Sequence, residues 1–77
     1  MSKQAAVNKI REHRLFLIDT LQDLERRFIE TIAIYESRQL PLQERHEVLS
    51  ILNNLKVFKN KAMEQLKTLD EMEKDLE

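Results

Sequence analysis

Residues 36–44 read ESRQLPLQE, and this polar stretch, with its proline at position 41, decides the fold. Proline lacks the backbone N–H that a helix interior uses, and it disfavours the α conformation in the preceding residue, here Leu40. At the first residue of a new helix, however, proline is well tolerated. The stretch therefore predicts a break between two helices, with Pro41 opening the second one.

Apolar residues recur with helical spacing on both sides of this break. The first segment carries Val7, Ile10, Leu17, Leu21, Leu24, Phe28 and Tyr35. The second segment carries Val48, Leu52, Leu55, Ala62, Leu66, Leu69 and Leu76. Arg14 and Thr31 interrupt the first pattern, and Lys59 and Glu73 interrupt the second. The chain therefore reads as a single domain over residues 1–77, with helix 1 over about 3–38, a turn over about 38–42 and helix 2 over about 42–75.

The phase of the two heptads favours an antiparallel hairpin over one kinked rod. Counted in sevens from Val7, the first pattern would reach residues 49, 56 and 63, whereas the second leads at residues 52, 59 and 66. A short helix–helix turn accommodates this shift of three residues, but a continuous coiled coil would need a severe local overwinding. The fold class predicted is all-α, a coiled-coil-like two-helix hairpin, with a kinked continuous helix as the alternative.

Opposite charges concentrate at the two ends of the chain. Residues 1–14 contain four basic residues and one acid, and residues 70–77 contain five acids and one basic residue. A chain that folds back near residue 40 places these ends side by side. Exposed ion pairs contribute only about 0–1 kcal/mol each, so we interpret this pattern as one that selects the register of the hairpin.

Composition excludes several classes of protein. With no glycine and no cysteine, the chain has neither a glycine-rich phosphate loop nor disulfides nor thiolate metal sites. Thirteen basic residues against 14 acidic ones leave a net charge of −1, which is too balanced for bulk attraction to nucleic acid or membrane. The longest apolar run has only four residues, from Leu15 to Ile18, so we expect a cytoplasmic protein without a membrane segment.

The sequence contains no constellation typical of an enzyme. His13 and His46 lack the Glu-x-x-His spacing of di-iron bundles, since Ile10 and Gln43 stand three residues before them. No serine has a base arranged for nucleophilic catalysis. We therefore expect no catalytic residue, no metal, no cofactor and no small-molecule substrate.

The chain has more apolar residues than one helix–helix seam can use. We expect the seam itself to be held by Leu21, Leu24, Phe28, Leu52, Leu55 and Leu66. Helical spacing directs a second set of apolar residues away from the seam, as in helices buried on more than one side. This partner interface comprises Leu15, Phe16, Ile29, Val57 and Phe58. Either a second copy, giving a four-helix bundle, or another protein would cover it.

Three families share features with this chain. Residues 36–44 resemble the helix–turn–helix signature of the exonuclease VII small subunit, with Arg38 where that family has glycine. This resemblance implies an accessory subunit of a larger enzyme. The size and layout are similar to those of the small co-chaperones of type III secretion needle subunits, which implies a helical-repeat partner. The opening MSKQ and the hairpin plan resemble the plasmid-encoded RNA-binding four-helix dimer that controls copy number.

The function expected is that of a non-catalytic protein–protein interaction module of the adaptor, co-chaperone or inhibitor type. The alternatives are an accessory small subunit of an enzyme and an RNA-binding four-helix-bundle dimer. Four lysines of the second helix would serve the RNA alternative, namely Lys56, Lys59, Lys61 and Lys67. The sequence leaves open whether the partner is a second copy or a different protein.

Overall fold

The structure is a computed structural model that describes residues 2–37 and 39–77. Helix α1 spans Lys3–Ser37 and helix α2 spans Leu42–Leu76. No strand occurs in these two ranges, so the described chain is all-α with two helices. At a rise of about 1.5 Å per residue a 35-residue helix is about 52 Å long. The extents of the molecule, 57 × 15 × 14 Å, therefore correspond to two such helices lying side by side.

Local interactions account for the helix ends. Ser2 caps α1, because the Ala5 N–H donates to its Oγ at 3.2 Å. Pro41 immediately precedes α2 and has φ −56° and ψ 153°, so it is the residue before the first helical one. The sequence predicts Pro41 as the first helical residue, whereas in the structure helix α2 begins one residue later, at Leu42. The Pro41 carbonyl still accepts the first helical hydrogen bond, from the Arg45 N–H at 3.0 Å.

The described part of the link between the helices, residues 39–41, uses no left-handed backbone. Within the described ranges no residue has a positive φ, and Gln39, Leu40 and Pro41 connect to α2 in non-helical conformations. This fits a chain without glycine, the residue that most readily adopts positive φ. Arg38, at the expected boundary between helix 1 and the turn, lies outside the described residues.

The two helices are antiparallel, and the best-buried part of their seam lies near the chain termini. The buried apolar side chains in the described ranges are Val7, Ile10, Leu17 and Ala62. Three of the four belong to the first half of α1, where the seam closes most tightly. Ala62 is small, which lets the two helices approach closely at mid-length.

Ion pairs join the two helices at the end of the hairpin that carries the chain termini. Arg14 Nη2 lies 3.0 Å from Asp70 Oδ1 and also pairs with Glu73. Arg11 Nε donates to Glu73 Oε1 at 3.2 Å. The prediction that the basic and acidic ends lie together is confirmed by these ion pairs. Neither described helix is long and apolar enough to cross a membrane.

Candidate interaction surfaces

The six leucine and phenylalanine side chains expected in the seam are all half-buried. Five of them, all except Leu52, line two openings on one side of the hairpin. The first opening has a volume of about 360 Å³ and lies among Leu24, Phe28 and Leu55. The second has a volume of about 500 Å³ and lies among Leu21, Met63 and Leu66. The side chains in the middle of the seam are thus less buried than Val7, Ile10 and Leu17 near its terminal end.

These two openings form one continuous groove, because Glu25 and Lys59 line both of them. Its floor is apolar and its rim is charged. Lys56 and Lys67 add positive charge to the rim, and Asp70 adds negative charge. Charges of both signs thus stand along the rim of the groove.

A stripe of apolar side chains runs along α1 beside this groove. Its members are Leu15, Ile18, Ile29 and Ile32, and we call them the α1 stripe. Leu15 is 64% exposed and Ile29 is 60% exposed. Their spacing of three, eleven and three residues keeps all four on one face, about a quarter turn from the residues that face α2. Ile29 also contributes to the wall of the groove.

The opposite side of the hairpin carries a second apolar surface, which we call the aromatic face. Its members are Phe16, Ile34, Ile51, Phe58 and Met72, and each of them is exposed. Ile51, Phe58 and Met72 are separated by multiples of seven, so they share one face of α2. Lys9 lines one recess with Phe16 of α1 and another with Met72 of α2. These members of the aromatic face therefore lie on the same side of the hairpin. The His13 ring stacks on Phe16, with ring centroids 6.1 Å apart.

The five residues expected at a partner interface are thus divided between surfaces. Leu15 and Ile29 belong to the α1 stripe, whereas Phe16 and Phe58 belong to the aromatic face. Val57 is exposed on the outward side of α2. Although Leu15 and Phe16 are neighbours in sequence, they point about 100° apart around the helix axis. The structure therefore offers two surfaces where sequence reasoning treated one set of residues.

Two polar interruptions of the heptads turn out to be partners. Arg14 in α1 and Glu73 in α2 occupy seam positions, and their side chains are 24% and 16% exposed. The hydrogen bond from Arg14 lowers the pKa of the Glu73 carboxyl; partial burial opposes this shift, and Arg11 reinforces it. The same bond raises the pKa of Arg14 against partial burial, with a further contribution from Asp70. Each interruption is visible in the sequence, but only the antiparallel register of the two helices makes Arg14 and Glu73 partners.

No group of three or more histidine, aspartate or glutamate side chains in the described residues is arranged to hold a metal ion. Comparison of the chain with protein-family models, with curated proteins and with solved structures gives no match.

Proposed function

We propose that this chain is a non-catalytic protein–protein interaction module, a helical hairpin of the adaptor, co-chaperone or inhibitor type. It acts by burying an apolar helical face against a partner protein. One observation carries the proposal: in the described residues twelve large apolar side chains are exposed, whereas four apolar residues are buried. Single exposed apolar residues are normal on soluble proteins, but eight of these twelve are separated by multiples of seven and so share helix faces. They are Leu15 with Ile29, Leu42 with Leu49 and Met63, and Ile51 with Phe58 and Met72. Aligned apolar residues of this kind are typical of helices that pack against another helix.

The aromatic face has the composition of a binding surface. Aromatic residues and methionine are enriched in protein interfaces, and large side chains in the centre of an interface contribute most of the binding energy. Phe16 and Phe58 supply rigid apolar area, and Met72 supplies an adaptable side chain. We expect a partner helix to lie along this face, in contact with both helices of the hairpin.

An RNA-binding bundle is the second candidate, because Lys56, Lys59 and Lys67 line the groove on the other side. Glu25 and Asp70 stand among these lysines, however, and would repel phosphates. The mixed charge therefore favours a protein partner. An accessory subunit of an enzyme would use the same apolar surfaces, with the larger chain as the partner. The proposal also includes a cytoplasmic location, which cell fractionation checks.

Site-specific photo-crosslinking in cells of the native organism tests the proposal. A photoreactive amino acid at position 58 lies in the aromatic face, and one at position 64 replaces the exposed polar Glu64 on the outer surface of the same helix. We expect a crosslink to one defined protein from position 58 and none from position 64. The crosslinked protein is then purified, and its affinity for the hairpin is measured by calorimetry.

The affinity of that complex should fall at least about 100-fold with Phe58→Glu, because a charge would be buried in the centre of an apolar interface. Glu64→Gln should leave it unchanged. Crosslinking to RNA from position 59, with an affinity that falls steeply with salt, would favour the RNA-binding alternative instead. Equal affinity of the Phe58→Glu and wild-type chains would refute the proposed use of the aromatic face.

A further inference from the structure

The α1 stripe has an internal symmetry that the aromatic face does not have. Along this face of α1 the residues follow one another in the order Arg11, Leu15, Ile18, Gln22, Glu25, Ile29, Ile32 and Glu36. Two apolar residues flank a polar centre on each side, and charges of opposite sign stand at the two ends. The spacing alternates between four and three residues, so the series reads with the same spacing in both directions about the midpoint between residues 23 and 24.

We infer that the α1 stripe binds a second copy of this chain, with the two α1 helices antiparallel and related by a two-fold axis at that midpoint. Leu15 then packs against Ile32 of the second copy, and Ile18 packs against its Ile29. Gln22 meets Glu25 of the second copy across the axis, within reach of a side-chain hydrogen bond. The inference rests on the proposed function, that the exposed apolar side chains of the hairpin are contact surfaces.

Charge complementarity supports this occupant. The same arrangement places Arg11 beside Glu36 of the second copy at each end of the contact. Asp19 and Arg26 lie on α1 along the outer edge of the stripe, beside the residues in contact. In the antiparallel dimer Asp19 of one copy therefore lies next to Arg26 of the second copy. All four side chains belong to exposed residues. A two-fold axis repeats each pair, which places four complementary pairs of charges between the chains. Within its own chain Arg11 also pairs with Glu73 and Arg26 with Asp23, so these two guanidinium groups are shared.

The register is selective. If the second helix is displaced by one heptad in one direction, Leu15 meets Glu25 and Arg11 meets Ile29. If it is displaced in the other direction, Ile18 meets Glu36 and Glu25 meets Ile29. Both alternatives place apolar residues against charged ones. The register about residues 23 and 24 alone pairs apolar with apolar and basic with acidic, which is the pattern that fixes the alignment of helix pairs.

Helix α2 takes little part in this contact. The positions of α2 that lie on the same side as the α1 stripe are mostly polar, with Leu49 and Met63 as exposed apolar exceptions. The polar ones include Asn53, Lys56, Asn60 and Lys67. Two copies of the lysines would repel one another if both α2 helices came together. The apolar part of the contact therefore comes from α1, and the aromatic face on the opposite side of the hairpin stays free for the proposed partner.

Sedimentation equilibrium of the purified full chain, without any partner, tests the inference. We expect a dimer with twice the 9.3 kDa chain mass. Leu15→Glu should raise the dimer Kd at least about 100-fold, because a charge would enter the apolar contact twice. Phe16→Glu is a matched control, since Phe16 is 63% exposed on the other side of the same helix. It should change Kd less than about threefold, and circular dichroism checks that both variants keep their helices.

Exchanging two charges between positions 19 and 26 tests the dimer contact without placing a charge in its apolar part, as Leu15→Glu does. Asp19→Arg and Arg26→Asp should each weaken the dimer about tenfold, and the double variant should restore it to within about threefold of wild type. Residues 19 and 26 are about 10.5 Å apart along one helix, so they do not pair within a chain. Asp23 pairs with Arg26 within the chain and lies four residues from position 19, so the exchange is made in a background that carries Asp23→Ala. In that background, restoration reports a contact between chains. Failure of the double variant to restore the dimer would overturn the inferred pairing.

The distance between two spin labels shows whether the α1 helices of the dimer are antiparallel or parallel. Because the chain has no cysteine, one introduced cysteine carries the label. In the antiparallel dimer Lys9→Cys labels lie about 44 Å apart along the axis, since 29 residues at about 1.5 Å separate their levels. In a parallel dimer they would lie at the same level. A monomeric wild-type chain, or loss of the dimer with Phe16→Glu but not with Leu15→Glu, would overturn the inference. Crosslinking from position 58 would still test the proposed function by itself.

Discussion

Replacement of Leu17 by alanine is the sharpest test of where the stability of the hairpin comes from. Leu17 is 4% exposed, the lowest value among the buried apolar residues, and it lies in the tight terminal half of the seam. Leu15, two residues earlier, is 64% exposed. The same substitution at both positions removes the same atoms and changes helix propensity equally. The difference between the two variants therefore measures burial alone.

The expected magnitudes follow from these exposures. A buried leucine replaced by alanine typically costs 2–5 kcal/mol, of which part is the cavity left behind. We expect about 3 kcal/mol at Leu17, because almost all of its surface is removed from water. At Leu15 about a third of the side chain is covered, so we expect less than about 1 kcal/mol. A domain of this size has a total stability of roughly 4–12 kcal/mol, so Leu17→Ala should lower Tm by about 12–24 °C.

Urea unfolding followed by circular dichroism measures both free energies. The titrations are repeated at decreasing chain concentration until the midpoint no longer changes, because Leu15 also belongs to the inferred dimer contact. At that limit the values refer to the single hairpin. If Leu15→Ala then destabilises the chain as much as Leu17→Ala, Leu17 does not face α2 and the antiparallel seam is wrong.

Two further perturbations examine other parts of the seam. Because the pKa of Glu73 is lowered in the folded chain from its ordinary value of 4.5, its ionised form stabilises the fold above that value. This contribution is lost as the pH falls through the lowered pKa. Glu73→Gln removes the titrating carboxyl, so the free energy of unfolding of this variant should fall less in acid than that of the wild type. Glu71→Gln is the control for the loss of one negative charge. Ala62→Leu should cost about 1–3 kcal/mol by pushing the helices apart. Ala33 is exposed and lies beside the α1 stripe, so Ala33→Leu should be nearly neutral in thermal unfolding at a dilution where the chain is monomeric.

The overall plan of the molecule could be predicted from short-range rules. Pro41 and the polar residues around it mark the break, and helical spacing identifies the residues that face the seam. The attraction between the ends of the chain is also visible in the sequence, because it needs only the sign of the charges. These features depend on the residues themselves and their near neighbours, so the amino-acid sequence contains them in full.

The surfaces were harder to predict because they depend on register across the hairpin. Phe16 and Met72 lie on the same side only once the two helices are aligned, and that alignment joins residues far apart in sequence. The separation of Leu15 from Phe16 could have been derived from the 100° step of the helix. The burial of Ala62 is a consequence of close helix approach at mid-length, which hydrophobic periodicity alone does not reveal.

The polar seam pair explains how one sequence can direct two different helix pairings. If α1 paired with α1 of another copy through its inner seam, Arg14 would face Leu17, Leu24 or Thr31 in the antiparallel registers, or Arg14 itself in the parallel one. None of these residues is acidic, so the guanidinium would lose water without gaining a partner. Helix α2 supplies Glu73 and Asp70 at the matching level. The inner face of α1 is therefore specific for α2 of its own chain. In the two-fold register of the α1 stripe, by contrast, the central Glu25 meets the Gln22 amide of the second copy and the end charges meet opposite charges, so this face is left to a second copy.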